Sequence, residues 1–237
     1  MADSVNKVLF INSEIFPYLP ESGISNIGRF LPQGIQERKK EIRSFMPRYG
    51  CINERKNQLH EVIRLSGMNI IISDVDRPLI IKVASISAAR MQVYFIDNDD
   101  YFIRKGVSND ENGVFYQDND ERAIFFARGG LETVKKLRWA PDVIHCQGWI
   151  SMLVPLFLRR VYKDDPIFAN SKLVFSLYDD ALKESFCEDF AKKIISGAIS
   201  EKDVEFLVKS PDGTNLAKTA AKFADGVILG SDKLPPL

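Results

Sequence analysis

KVLFINSEIFPYLPESGISNIGRF, Lys7 to Phe30, changes character twice, and those changes set the fold. KVLFIN, Lys7 to Asn12, is apolar, β-branched and bounded by polar residues, which is the pattern of a buried strand. A loop with proline, serine and one glycine, Gly23, follows. From Ser25 the spacing turns helical: Ile27, Phe30, Leu31, Ile35 and Arg38 share a face, with Ser25 or Asn26 placed to cap the first turn. EIRSFMP, Glu41 to Pro47, returns to strand character. Strand, helix and strand make a βαβ unit, which implies parallel pairing through a right-handed crossover. A loop running from a strand into a helix N-terminus is also a common frame for anion sites. This loop carries no lysine, so it poses the question of what such a frame would hold.

Outward from this unit, HEVIRL, MNIIIS, PLIIKVASIS and QVYFID read as four short strands separated by turns. They predict a meander or hairpin insertion at about residues 58–97. Asp97 to Asp120 is rich in Asp, Asn and Gly and reads as mostly loop. A helix is expected from about Glu121 to Leu137, because Ala123, Phe126, Ala127, Leu131, Val134 and Leu137 lie along one face. DVIHC (Asp142 to Cys146) and KLVFSLY (Lys172 to Tyr178) read as strands, with a helix from about Trp149 to Tyr162 between them. NLAKTAAKFA is a helix pattern and DGVILGS, Asp225 to Ser231, a final strand. With no internal repeat or linker, residues 1–237 read as one α/β domain.

Lysine plus arginine and aspartate plus glutamate number 32 each, so the net charge is zero. This balance gives no electrostatic reason to bind nucleic acid or an anionic membrane. Cys51, Cys146 and Cys187 fit no zinc or redox spacing. The N-terminus lacks a signal-peptide pattern, and no apolar run is long enough to span a bilayer. A cytoplasmic setting is expected.

Several segments together resemble the bacterial glycogen synthase and plant starch synthase family. KVLFINSEIFP and FMPRYG match its opening strand, its SEVFP and its PRY. VYFIDNDDYFIRKGVSNDENGVFYQDNDERAIFFARGGLE, Val93 to Glu132, is the most specific match, through its ordered FIDN, YF, DENG, DN and ER. PDVIHCQGW resembles the family's PDxxHxHDW, KLVFSLY its KxVFTIHN, and TNLAKTAAKFADGVILGS its INFLKxGIxYAD segment. The resemblance covers nearly the whole chain. It implies a Rossmann-like, doubly wound, mostly parallel sheet, the N-terminal half of a two-domain glycosyltransferase of the GT-B type. The C-terminal, donor-binding domain is expected to be absent. The family reaction is retaining transfer of glucose from ADP-glucose, a substrate rather than a cofactor, to an α-1,4-glucan.

The same resemblance implies site residues and departures from the family pattern. The family's loop lysine, paired glycines and aspartate fall on Pro20, Ser22, Gly23 and Asn26, so Ser22 and Gly23 keep only part of a phosphate loop. Asn26 retains hydrogen-bonding capacity without charge. The second histidine of HxHDW is Gln147, which has no acid–base function near neutral pH. Its aspartate is Gly148. Trp149 is kept, either as a sugar contact or as packing. His145 sits where open α/β sheets place ligands, yet a satisfied core histidine is the plainer reading. Asn215 matches an asparagine near the transferred sugar, or caps a helix. Tyr94, Tyr101, Phe115 and Tyr116 offer rings for sugar stacking, and Asp110 to Gly113 either lines a polar cleft or forms Asx turns. No metal site or cofactor is expected, and Asp74–Asp76, Asp99–Asp100 and Asp179–Asp180 read as solvated turns. No catalytic residue is assignable in this chain.

Three functions follow as expectations. The first is a glycogen or starch synthase-like domain of glucan synthesis, not catalytic alone. The second is a non-catalytic module binding glucan or a protein partner, and the third a small phosphate- or nucleotide-binding protein. Expected partners are an α-glucan or maltooligosaccharide, and a second Rossmann domain, another chain or a further copy; nucleic acid and membranes are not expected.

Overall fold

The computed structural model describes residues 5–179, 182–232 and 234, so Asp180 of the expected Asp179–Asp180 turn lies outside the described residues. Strand β1 (Lys7–Asn12) leads through a loop into helix α1 (Gly23–Glu37) and back to β2 (Glu41–Pro47). Then come β3 (His60–Glu61), β4 (Met68–Ile72), β5 (Val75–Ile86) and β6 (Met91–Asp97). Helices α2 (Asp99–Phe102) and α3 (Asn119–Leu137) precede β7 (Val143–Gln147), and α4 (Val154–Arg160) precedes β8 (Lys172–Leu177). Helices α5 (Phe190–Ile194), α6 (Glu205–Lys209) and α7 (Gly213–Phe223) lie between β8 and the last strand, β9 (Gly226–Leu229).

The strands form one sheet in the order β3-β5-β6-β2-β1-β7-β8-β9, with β4 paired to β5. From β6 to β9 every pairing is parallel. The β3, β4 and β6 pairings to β5 are antiparallel. This is the expected α/β architecture with a hairpin insertion. The chain builds leftward from β1 to β2 and, later, rightward from β7 to β9. Right-handed crossovers running in opposite directions place their helices on opposite faces, α1 on one and α4 and α7 on the other.

Three expectations are corrected. QVYFID, assigned to the insertion, is β6 and belongs to the parallel sheet, paired to β2 as well as β5. Its Val93 and Phe95 are fully buried, which strand alternation alone does not reveal. Helix α1 starts two residues early: Ser22, not Ser25 or Asn26, is its cap. The Ser22 Oγ accepts from the Ser25 N–H at 3.0 Å, and the Ser25 Oγ accepts from the Ser22 N–H at 2.8 Å, a capping box with serine in both positions. The expected helix from Trp149 splits into a 3₁₀ turn, Trp149–Ser151, and α4, whose first turn holds Pro155. The segment after Asp97 is mostly loop, as expected, with one short helix, α2, capped by the Asn98 side chain.

One buried cation organises that loop. Arg122 on α3 is wholly enclosed. Its Nε donates to the Tyr101 carbonyl at 2.9 Å, and its Nη1 to the Val107 carbonyl at 2.8 Å and to Asn119 Oδ1 at 2.6 Å. The guanidinium also lies over the Tyr49, Phe102 and Tyr116 rings. Farther along, the Asp110 side chain accepts from the Asn112 and Val114 amides, an Asx turn. Replacing Arg122 by methionine removes its bonds to the Tyr101 and Val107 carbonyls and to Asn119. Arg122→Met is expected to lower unfolding free energy by about 3 kcal/mol, read as a lower urea midpoint at unchanged slope.

Candidate functional site

The strand order reverses at β1 and β7, and ligands of open α/β sheets sit at the carboxyl ends of strands beside such a reversal. There the Ser13–Ser22 loop, the first turn of α1 and the segments after β8 and β9 enclose a cleft of about 440 Å³. Glu14, Ser22, Gly23, Tyr178, Asp179 and Ser231 are among its lining residues, with Ile24 and Ile27 as apolar floor. None of the described lining residues is basic. The Glu14 carboxylate accepts from Ser22 Oγ at 3.4 Å, and burial raises its pKa against the lowering effect of that hydrogen bond. On the far wall the Asp179 amide donates to Ser231 Oγ at 3.1 Å. Two carboxylates, two hydroxyls and a tyrosine over an apolar floor match sugar hydroxyls and a sugar ring's C–H face better than a phosphate.

Backbone proximity builds this cleft. Gly28 packs so closely under the loop that a Cβ there would lie 2.2 Å from the Glu14 carbonyl oxygen. A Cβ on Gly23 meets nothing within 4 Å, so this glycine, though expected to matter for phosphate approach, is not sterically required. Gly148 has φ of 80°, and a Cβ there would lie 2.1 Å from Ser13 Oγ, so the turn after β7 demands glycine.

The expected site residues take different roles. Ser22 lines the cleft, but its hydroxyl is engaged in the cap. The Asn26 side-chain amide, in the first turn of α1, donates to Glu21 Oε1 of the preceding loop at 3.1 Å. Gln147 is fully buried, and its Nε2 donates to the Ile24 carbonyl at 3.2 Å, fastening β7 to α1 beneath the cleft. Trp149 is 5% exposed and packs near Phe186, at 6.4 Å between ring centroids, so it has no open stacking face. Asp212, not Asn215, caps α7: its carboxylate accepts from the Asn215 amide at 2.8 Å. Asn215 Nδ2 braces the Ser210 carbonyl at 2.9 Å. The structure thus brings Ser22 and Gly23 together at the cleft, while Asn26, Gln147 and Asn215 are hydrogen-bonded within the protein and Trp149 is packed.

The aromatic rings expected to stack sugars are corrected. Tyr94, Tyr101 and Phe115 are buried, and Tyr116 is covered by the Arg104 guanidinium at 4.1 Å. Glu14, Tyr178 and Ser231 were not singled out from the sequence, and Asp179, expected only in a solvated turn, lines the cleft. The SE of KVLFINSEIFP and the end of KLVFSLY were visible in the sequence, but their convergence is non-local. Asp120, Cys187 and Asp189 also bring ligand atoms together. The Lys193 ammonium sits 2.7 Å from Asp120 and 3.5 Å from Asp189, supplying the positive charge a metal would bring.

Residues 7–234 match the family of the starch synthase catalytic domain. The chain belongs to that family. It is 34% identical over 220 residues to the glycogen synthase of Chlorobium limicola, covering 92% of this chain and 44% of the relative. It is also 34% identical over 236 residues to the glycogen synthase of Chlorobium luteolum, covering 97% and 48%. The chain therefore spans somewhat less than half the length of these relatives. The starch synthase IV catalytic domain of Arabidopsis thaliana, bound to ADP and acarbose, superimposes with a TM-score of 0.67 at 17% identity, over 96% of this chain and 52% of that one. This member of the family has a GT-B type Rossmann-like half built on the sheet described above, a glycogen/starch synthase-like glycosyltransferase domain.

Within this family member His145 is a core residue. It is 5% exposed, with Nε2 2.7 Å from Ser176 Oγ and the Phe10 ring at its edge. Burial lowers its pKa to about 4. An unfolded histidine titrates near 6.5, so the stability held by the neutral ring is full above that value and declines as pH falls from 6.5 towards 4. The His145 imidazole resonances followed by NMR are expected to stay flat from neutral pH to about 5. An inflection near the ordinary value would contradict this placement.

Proposed function

We propose that the chain forms the acceptor-facing half of a glucosyltransfer centre of α-1,4-glucan metabolism, with ADP-glucose as the family's donor. The observation that carries this reading is the cleft at the mouth of α1. It offers carboxylates and hydroxyls over an apolar floor, and none of its described lining residues is basic. Hydroxyl-rich glucan ends are well served by such groups. A departing diphosphate needs preorganised positive charge, which the partner half of the centre would supply. On this reading Glu14 and Asp179 orient glucan hydroxyls, and the desolvated Glu14 carboxylate disfavours a diphosphate beside it. Gln147 and Gly28 act indirectly, by setting how deeply the loop sits on α1. No cofactor takes part, ADP-glucose being a substrate, and a cytoplasmic setting belongs to the same reading.

The test uses the purified chain. Isothermal titration with maltooligosaccharides is expected to show binding that Glu14→Ala and Asp179→Ala each weaken about fivefold or more, with circular dichroism unchanged. Incubation with ADP-glucose and glycogen is expected to release no ADP above background. Steady ADP release, or no heat with any maltooligosaccharide, would refute the proposal.

A further inference from the structure

The amino ends of the parallel strands, opposite the cleft, carry a cavity of different character. Strands β2 and β6 begin at Glu41 and Met91, but their pairing starts only at Ser44 and Val93. Their first residues therefore stand apart as a fork. It opens into a cavity of about 200 Å³, lined among others by Gln36 in the last turn of α1, Lys40, Glu41, Arg43, Arg90 and Gln92. Gln36 Nε2 donates to the Arg90 carbonyl at 3.2 Å and ties the helix end to the turn before β6. The lining comes from two internal stretches, 36–43 and 90–94, so elements on both sides of it belong to this chain.

The lining is positively charged. Lys40, Arg43 and Arg90 bring three cations, and Glu41 is the one carboxylate among the described lining residues. That carboxylate is already engaged. It accepts from Trp139 Nε1 at 2.6 Å and lies 3.8 Å from Arg43 Nη2, too far for a hydrogen bond. The Asp142 carboxylate, which also feels the Lys40 charge, is held by the Asn6 and Lys7 amides at 2.7 and 2.8 Å. Lys40 and Arg90 make no salt bridge among the described residues. Arg43 is held in place, 5.6 Å from the Tyr94 ring centre and 5.4 Å from that of Trp139. It donates to the Tyr94 hydroxyl, and its Nε is covered without a partner. Arg90 has a left-handed backbone, φ 51° and ψ 35°, which glycine adopts freely and arginine does not. A cation kept at a strained position points to a use for its side chain.

We propose that this fork binds a phosphate-type oxyanion, either inorganic phosphate or the phosphate of a small monoester. Three cations against one engaged carboxylate leave a net positive site, which matches a doubly charged phosphate better than a singly charged carboxylate. Two of the three cations are arginines, whose planar donor arrays suit phosphate oxygens. The size agrees. At about 200 Å³ the cavity falls below the roughly 300–1,000 Å³ of sites for drug-sized ligands and suits a small ion with its waters. The site lies at the other ends of the strands from the cleft, and it does not depend on what the cleft binds.

Thermal melts of the purified chain in increasing phosphate, with sodium chloride adjusted to hold ionic strength constant, test the proposal. The melting temperature is expected to rise with phosphate and level off, by roughly 2 °C or more at saturation. Lys40→Gln and Arg90→Gly are each expected to weaken phosphate binding about fivefold or more. Without phosphate, Arg90→Gly is expected to melt no lower than the unsubstituted chain, because glycine relaxes the left-handed turn. Lys105→Gln removes an exposed lysine elsewhere and is expected to keep the full response. Glucose 1-phosphate separates the two sources: a response at lower concentration that the fork variants reduce assigns the ester, and a weaker one assigns the free ion. No response beyond that of sodium chloride overturns the proposal. So does a response that both fork variants retain, or one that the control loses equally.

Discussion

Strand β1 must pair in parallel with β2 on one side and β7 on the other, and the rest of the molecule is arranged around that demand. Its two neighbours belong to halves of the chain that wind in opposite directions. Because each crossover is right-handed, their helices go to opposite faces, and the loops after β1 and β7 are left diverging at the strand ends. Asn12 and Gln147 mark this spot, one at the end of each strand and in register with each other. The cleft and the burial of Gln147 are both consequences of one reversal of winding.

The cleft's character then follows from how near α1 comes to the loop. Gly28 lets the helix approach the Glu14 carbonyl, and the Gln147 amide holds the helix backbone from below. The contact brings the Glu14 carboxylate and Ser22 to the helix mouth. The partial positive charge of a helix start then faces a carboxylate of the chain itself. A frame that in outline suits phosphate becomes, by one side chain and the absence of a lysine, a frame suited to hydroxyls.

Local pattern carried the elements well, because β1, α1, β2, α3 and α7 each have a periodicity of their own. It failed where competition between adjacent groups decides the outcome. Ser22, Ser25 and Asn26 are all good caps, and only the reciprocal pair made by Ser22 with Ser25 selects one. It also failed where burial is set from elsewhere. QVYFID looks the same in a hairpin as in a parallel sheet, and Trp149 looks the same as a sugar platform or as a partner of Phe186. The cleft was legible in its first wall, Ser22 and Gly23. Its second wall, Tyr178, Asp179 and Ser231, comes from two strand ends far apart in sequence. No local signal joins them.

Arg122 grips the loop before α3 by the carbonyls of Tyr101 and Val107. Every residue has a carbonyl, so the path of that loop is written in its backbone and read from outside it. Its exposed side chains, Glu111 and Asn112 among them, are thereby released from the task of shaping it. Those exposed positions can be redesigned while Arg122 and the Asp110 turn keep the course of the segment over α3.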